Sequence, residues 1–155
     1  MRVTLKTDYA LRAMAHLAAA GGAGPVKADE IAQGQSIPLK FLLTILGELK
    51  LAHLIRSQRG PEGGFLLRRP AEDITLADVI RAVDGPLANV HDTSLENLRY
   101  AGPAESLRDV WMAVRTSLRS VLESTTLADL ANGSLPDDVR RQAAAYQSWM
   151  AGQAG

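Results

Sequence analysis

The chain contains no cysteine, and that absence removes whole classes of chemistry. Disulfides, thiolate nucleophiles, thiol-based redox sensing and cysteine-ligated zinc or iron–sulfur centres all need a sulfur that is not there. Histidine is scarce as well. His16, His53 and His91 are the whole supply, and they fall on three separate segments. Neither H-x-x-x-H nor E-x-x-H spacing occurs, so no metal site with converging ligands is expected, and "VHD" at 90–92 reads as solvated loop. No apolar run approaches the roughly 20 residues that cross a bilayer. Asp8, Arg12 and His16 interrupt the alanine-rich N-terminal stretch where a secretory signal would need an unbroken apolar core. No Ser/His/Asp arrangement or carboxylate pair stands in a recognisable setting, and the GPEGG turn at 60–64 leads into a strand and not a helix. An enzyme is therefore not expected.

Net charge is also missing, but only as a sum. The 155 residues carry 17 Lys/Arg and 17 Asp/Glu. Residues 1–70 hold ten basic side chains against five acidic ones, the remainder seven against twelve, and all four lysines lie in the first part. A basic module joined to an acidic one is the pattern of a chain in which one part meets a polyanion such as DNA. With 46% apolar residues there is material for one compact domain, or for a small domain with a helical extension.

The basic surplus is densest in "IRSQRGPEGGFLLRRP", residues 55–70. Two mixed runs, Leu54 to Gln58 and Phe65 to Arg68, flank a turn-forming cluster, which is the signal of a β-hairpin. Like charges on neighbouring strands oppose pairing, so the counter-charge is expected from outside the chain. Gly60, Gly63 and Gly64 suit a tip whose backbone approaches phosphates, with Arg56 and Arg59 supplying charge.

Upstream, Tyr9, Ala10, Leu11, Ala13, Met14, Leu17 and Ala18 line one side of a helix over Thr7 to Ala20, which "AGGAGP" ends. A short helix is predicted for Ala28 to Gln33. A third follows from Pro38, placed at its first position, to about Ala52. Leu42, Ile45, Leu46 and Leu49 mark the inner face of the third helix, and Lys40, Leu43, Thr44, Gly47 and Lys50 its outer face. Three helices and then a hairpin is the order of a winged helix-turn-helix, in which the third helix enters the major groove. The fold class is thus mainly α with a small β-hairpin, a winged helix-turn-helix joined to a long dimerisation helix.

The second half opens with "ITLADVIRAVDGP", an amphipathic helix with Thr75 as cap, Asp78 in the capping-box position and Gly85-Pro86 as stop. Residues 88–103 read as loop. Ala104 to about Ser124 is the longest helical run, and Leu107, Trp111, Val114, Leu118 and Val121 form a seam over roughly two heptads that a second copy of the chain would cover. "TTLADLANG" is a short capped helix expected to fold back on the long one, and a last helix after Pro136 carries Tyr146 and Trp149. No internal repeat stands out. The expected division is residues 1–70 for DNA binding, 71–131 for linker helix, loop and dimerisation, and 132–155 for a C-terminal helix or tail.

Taken together and in order, "MRVT", "DYALRAM", "IPLKFL", "RGPEGGFLL", "ITLADVIRAVDGP", "LRDVWMAVR" and "VLESTTLADLA" resemble the winged-helix regulators of the Rrf-two family, which include the IscR, NsrR and CymR repressors, from Met1 to about Asn132. The resemblance implies a cytoplasmic, homodimeric transcription repressor on an imperfect palindrome of double-stranded DNA. Carried over by position, Ser36, Lys40, Phe41 and Thr44 fall where the recognition helix meets DNA, and Arg59 and Gly60 at the wing tip. Leu43 differs in type from the polar residues several members carry there. Cluster-binding members use three cysteines in the loop corresponding to about residues 88–106, so no such cofactor is expected here. Among cluster-free members Trp111 and Arg115 match the CymR type, with Val110 in place of leucine, which implies control by a docked metabolic enzyme. A small effector lined by Val90, Leu95, Leu98, Tyr100 and Trp111 is the other source of control. Against the DNA reader stands a second reading, a winged-fold interaction module that docks a metabolic enzyme and binds DNA weakly and without preference.

Overall fold

The computed structural model describes residues 3–87 and 94–153. Thr4 starts the first helix, α1 (Leu5–Ala19), by accepting from the Thr7 amide at 3.0 Å. α2 (Ala28–Gln35) and α3 (Leu39–Leu51) follow. α2 packs so closely on α1 that a Cβ on Gly34 would stand 2.7 Å from the His16 ring. The link between α2 and α3 turns through Ser36, whose φ of 53° is left-handed. Pro38 occupies the N-cap of α3 with extended ψ, one position earlier than predicted, and Leu39 is the first helical residue. The shift is physically small, since proline lacks the amide that either position would leave unpaired.

The hairpin is β1 (Ile55–Gln58) and β2 (Gly64–Leu67), antiparallel with Ile55 opposite Leu67 and Gln58 opposite Gly64. β2 is held on its other edge by Val26, whose N–H and C=O exchange hydrogen bonds with Phe65 at 2.9 and 2.8 Å. After a single turn of 3-10 helix (Ala71–Asp73) comes α4 (Leu76–Asp84). Both halves of its capping box are present, so Asp78 serves as well as the usual longer acid. Its C-terminal Asp84 accepts from the hydroxyls of Thr4, at 2.7 Å, and Thr7, tying α4 to the start of α1.

α5 (Leu107–Ser124), α6 (Leu127–Asn132) and α7 (Asp137–Gln153) complete the described chain. The expectation that the short helix folds back on the long one is corrected here. α6 packs on α1 and on the 71–73 turn, and Leu127 is fully buried in the core. The cause is a backbone bridge that no local signal announces. Leu76 N donates to Thr125 O, and Leu127 N to Ile74 O, both at 2.9 Å, pairing Thr75 with Thr126. The two paired segments carry the same tetrapeptide, Thr-Leu-Ala-Asp at 75–78 and 126–129, and each closes its own capping box.

One buried cluster therefore joins Ala10, Met14 and Leu17 of α1, Ile31 of α2, Leu42, Ile45, Leu46 and Leu49 of α3, and Ile55 of the hairpin with Ile74, Val79, Val83 and Leu127. Burial of this size drives the fold at roughly 25 cal/mol per Å² of apolar surface removed from water. Mainly α architecture with a two-stranded wing matches the fold read from the sequence.

Candidate nucleic-acid interface

α3 is fixed by its inner face, and that leaves its outer face free. Leu42, Ile45, Leu46 and Leu49 are buried, while Lys40, Phe41, Leu43, Thr44, Gly47 and Lys50 are exposed. Thr44 back-bonds weakly to the Lys40 carbonyl at 3.5 Å. Phe41 is only partly free, because its ring meets the Tyr9 ring edge-on at 5.7 Å, with the Arg12 guanidinium 5.4 Å from the centre of Tyr9. Ser36 is exposed at the turn into α3.

The wing stands beside this face. Lys50 Nζ donates to Ser57 Oγ at 3.3 Å, coupling the end of α3 to β1. Gly60 has a φ of 106° and opens a tight turn, closed by Gly63 N donating to Gly60 O at 2.9 Å. The other two glycines answer to the chain itself. A Cβ on Gly63 would meet the Gln58 carbonyl at 2.2 Å, and one on Gly64 the Val26 carbonyl at 2.4 Å.

The four arginines of the stretch divide in two. Arg69 reaches the Asp78 carboxylate at 3.8 Å, and Arg68 reaches His53 Nδ1 at 3.4 Å. Arg56 and Arg59 are exposed, and like Lys40 they have no ion-pair partner among the described residues. The structure thus gathers Ser36, Lys40, Thr44, Arg56, Arg59 and Gly60 on exposed positions of the turn, α3 and the wing, with Phe41 half engaged. The internal partners of Arg68 and Arg69 were not readable from sequence, since Asp78 and His53 are brought to them by the fold.

The predicted seam on α5 is only partly one surface. Val114, Leu118 and Val121 line an open apolar trough with Val110, Ala113, Ser117 and Leu122, and Gln142 of α7 sits at its edge. Leu107 and Trp111 lie outside that trough. Trp111 is half-buried, and its Nε1, like Nε of Arg108 and Arg115, is shielded from water without a hydrogen-bond partner. α5 is held to α4 by Glu123, which accepts from Arg119 Nε at 3.0 Å and from Arg81. The Arg119 hydrogen bond, followed by that of Arg81, holds the Glu123 carboxyl below the usual glutamate range.

Of the predicted effector-lining residues, Leu98 and Tyr100 share a cavity with Arg99, Glu105, Arg108 and Asp109. Leu95 is buried, Trp111 does not line that cavity, and Val90 lies outside the described residues, as does His91. Among the described residues no group of three or more His, Asp or Glu is placed to hold a metal ion, and no helix is long and apolar enough to cross a membrane.

Comparison with known proteins places this geometry. The family description "Rrf2: Iron-dependent Transcriptional regulator" matches residues 3–133. Rv1287 of Mycobacterium tuberculosis (strain ATCC 25618 / H37Rv), an HTH-type transcriptional regulator by name, is 51% identical over 148 residues, 96% of this chain and 92% of that protein. The HTH-type transcriptional regulator CymR of Bacillus subtilis (strain 168) is 36% identical over 132 residues, 85% of this chain and 91% of its own. Among solved structures, CymR, the global cysteine regulator of B. subtilis, superposes with a TM-score of 0.73 over 85% of this chain and 97% of that one, at 35% identity. IscR of T. potens does so with a TM-score of 0.71, at 32% identity, over 86% and 88%. These relatives are regulators by name and not enzymes. The family description speaks of iron, and this chain has no thiolate to hold an all-cysteine iron–sulfur cluster.

Proposed function

Because the chain belongs to the Rrf2 family of transcriptional regulators, we propose that it is a homodimeric, cluster-free repressor that reads an imperfect DNA palindrome with α3 and the wing. The observation that carries the reading is the trio of exposed cations, Lys40, Arg56 and Arg59, unpaired among the described residues and set around an α3 whose inner face is locked in the core. Such cations neutralise phosphates and fix the protein's register on the duplex, while the N-terminal turns of the recognition helix meet base edges. Ser36, Thr44 and Gly60 complete the contact surface. Work of this kind is done in the cytoplasm, where a bacterial chromosome lies.

Two copies are needed for a palindrome, and the trough on α5 supplies a surface for pairing them. Val110 and Leu107 are exposed along the helix, and a second α5 would cover them together with Val114, Leu118 and Val121. Control without a cluster is assigned to a small effector in the Leu98–Tyr100 cavity at the head of α5, or to a metabolic enzyme docking on the acidic half.

The test is fluorescence anisotropy of the protein on its own upstream region and on a shuffled duplex, at two salt concentrations. A preference of about 10³ or more at physiological salt is expected of a specific regulator. Equal binding to both, released alike as salt rises, would leave only counterion release and turn attention to a docking module.

A further inference from the structure

The outer face of α3 is not uniformly polar. Leu39, Leu43, Gly47 and Leu51 follow at four-residue steps and so stand in one row, alongside Lys40 and Thr44. Leu39 and Leu43, in the first two turns, are 39% and 49% exposed. Their neighbour Phe41 has the Tyr9 ring against it. Gly47, next in the row, has nothing within 4 Å of where a Cβ would stand, so a surface laid against Leu43 can come close to the backbone beyond it.

The helix does not need these leucines for its core, which Leu42, Ile45, Leu46 and Leu49 already fill. On DNA the side chains of these turns meet phosphates or base edges. A phosphate gives leucine nothing, and the apolar group on the floor of the major groove is the C5-methyl of thymine. Leu39 and Leu43 also stand among polar neighbours, Lys40 and Thr44, of the kind that face DNA.

We propose that Leu43, with Leu39 one turn before it, packs against thymine methyl groups in the major groove, giving this protein a thymine requirement at a fixed position in each half of its site. The inference rests on the DNA-reading function above and specifies what is read.

The full-length protein is used to select its preferred duplex from a random pool. Each thymine of that duplex is then replaced, symmetrically in the two halves, by deoxyuridine, which removes the methyl and leaves every hydrogen-bonding group in place. At one or two positions per half-site the wild type loses about fourfold in affinity for each methyl removed, the factor equivalent to ~0.8 kcal/mol for one methyl-sized group returned to water. Leu43→Ala, whose exposed side chain leaves the melting temperature unchanged, binds the thymine and uracil duplexes equally at that position. If the wild type tolerates every replacement, or if Leu43→Ala still discriminates, the inference is wrong while the selected duplex leaves DNA reading intact. If no duplex is enriched, both fall together.

Discussion

Each of α1, α2, α3, α4 and α6 turns at least one side chain into a shared core. α5 and α7, 18 and 17 residues long, bury none. The contrast is sharpest between two leucine-bearing helices. On α3 the inner leucines are sealed, whereas on α5 the apolar positions line an open trough. Tyr146 and Trp149 of α7 lean on each other, with ring centres 5.8 Å apart, and both remain exposed. In proteins most helical stability comes from packing an apolar face and not from propensity. A helix with an apolar stripe and no buried side chain suits the pairing proposed for α5. The core is complete in one copy, and the proposed dimer would complete α5.

The largest effect that would break this comparison is expected at Leu127. Leu127→Ala empties a fully buried position and should cost about 2–5 kcal/mol, read by chemical denaturation, even though α6 lies far along the chain from α1. A small loss would mean that α6 is an appendage. Leu118→Asp, on the trough, should do the reverse. It leaves the far-ultraviolet circular dichroism intact and weakens dimerisation by at least about tenfold, ~1.4 kcal/mol, in sedimentation equilibrium.

Within the module, Gly64→Ala forces a Cβ onto the Val26 carbonyl and should destabilise the wing by about 1–3 kcal/mol, visible as faster amide exchange at Phe65. Arg59→Ala removes a side chain that no described residue pairs. It should leave the melting temperature alone and weaken DNA binding by about 1–3 kcal/mol if the arginine meets a base, or flatten the salt slope by about one if it meets only phosphate.

The smallest effect is the pH dependence of the α4–α5 clamp. The folded-state pKa of Glu123 is depressed by Arg119 and Arg81. Its contribution is therefore present above the ordinary glutamate range and is lost as pH falls through the depressed value. Glu123→Gln should abolish that component of an acid titration of stability while changing little at neutral pH.

Much of the module was legible because its signals are local. The three- and four-residue spacing of Leu42, Ile45, Leu46 and Leu49 marked the buried face of α3, Thr75 and Asp78 marked a capping box, and the glycine cluster marked the wing. What escaped is long-range. The two Thr-Leu-Ala-Asp segments read alike as helix starts, but nothing in either says that their backbones pair or that Leu127 enters the core. Gly63 and Gly64 were read as serving phosphates, whereas the carbonyls of Gln58 and Val26 exclude a side chain there. Arg56 and Arg59 were singled out in sequence, but nothing in it says that the fold directs Arg68 and Arg69 to His53 and Asp78. For the site, α3 and the tip arginines were readable from pattern, and the cavity beside Leu98 and Tyr100 was reached only in part.

The measurement that bears most directly on a dimeric DNA reader is a hydroxyl-radical footprint of the protein on its preferred duplex. The account predicts two protected half-sites related by a dyad, their centres one helical turn of about 10 base pairs apart or a multiple of it, with both lost together in Leu118→Asp. A single protected patch that survives Leu118→Asp would show one winged module acting alone and contradict the account.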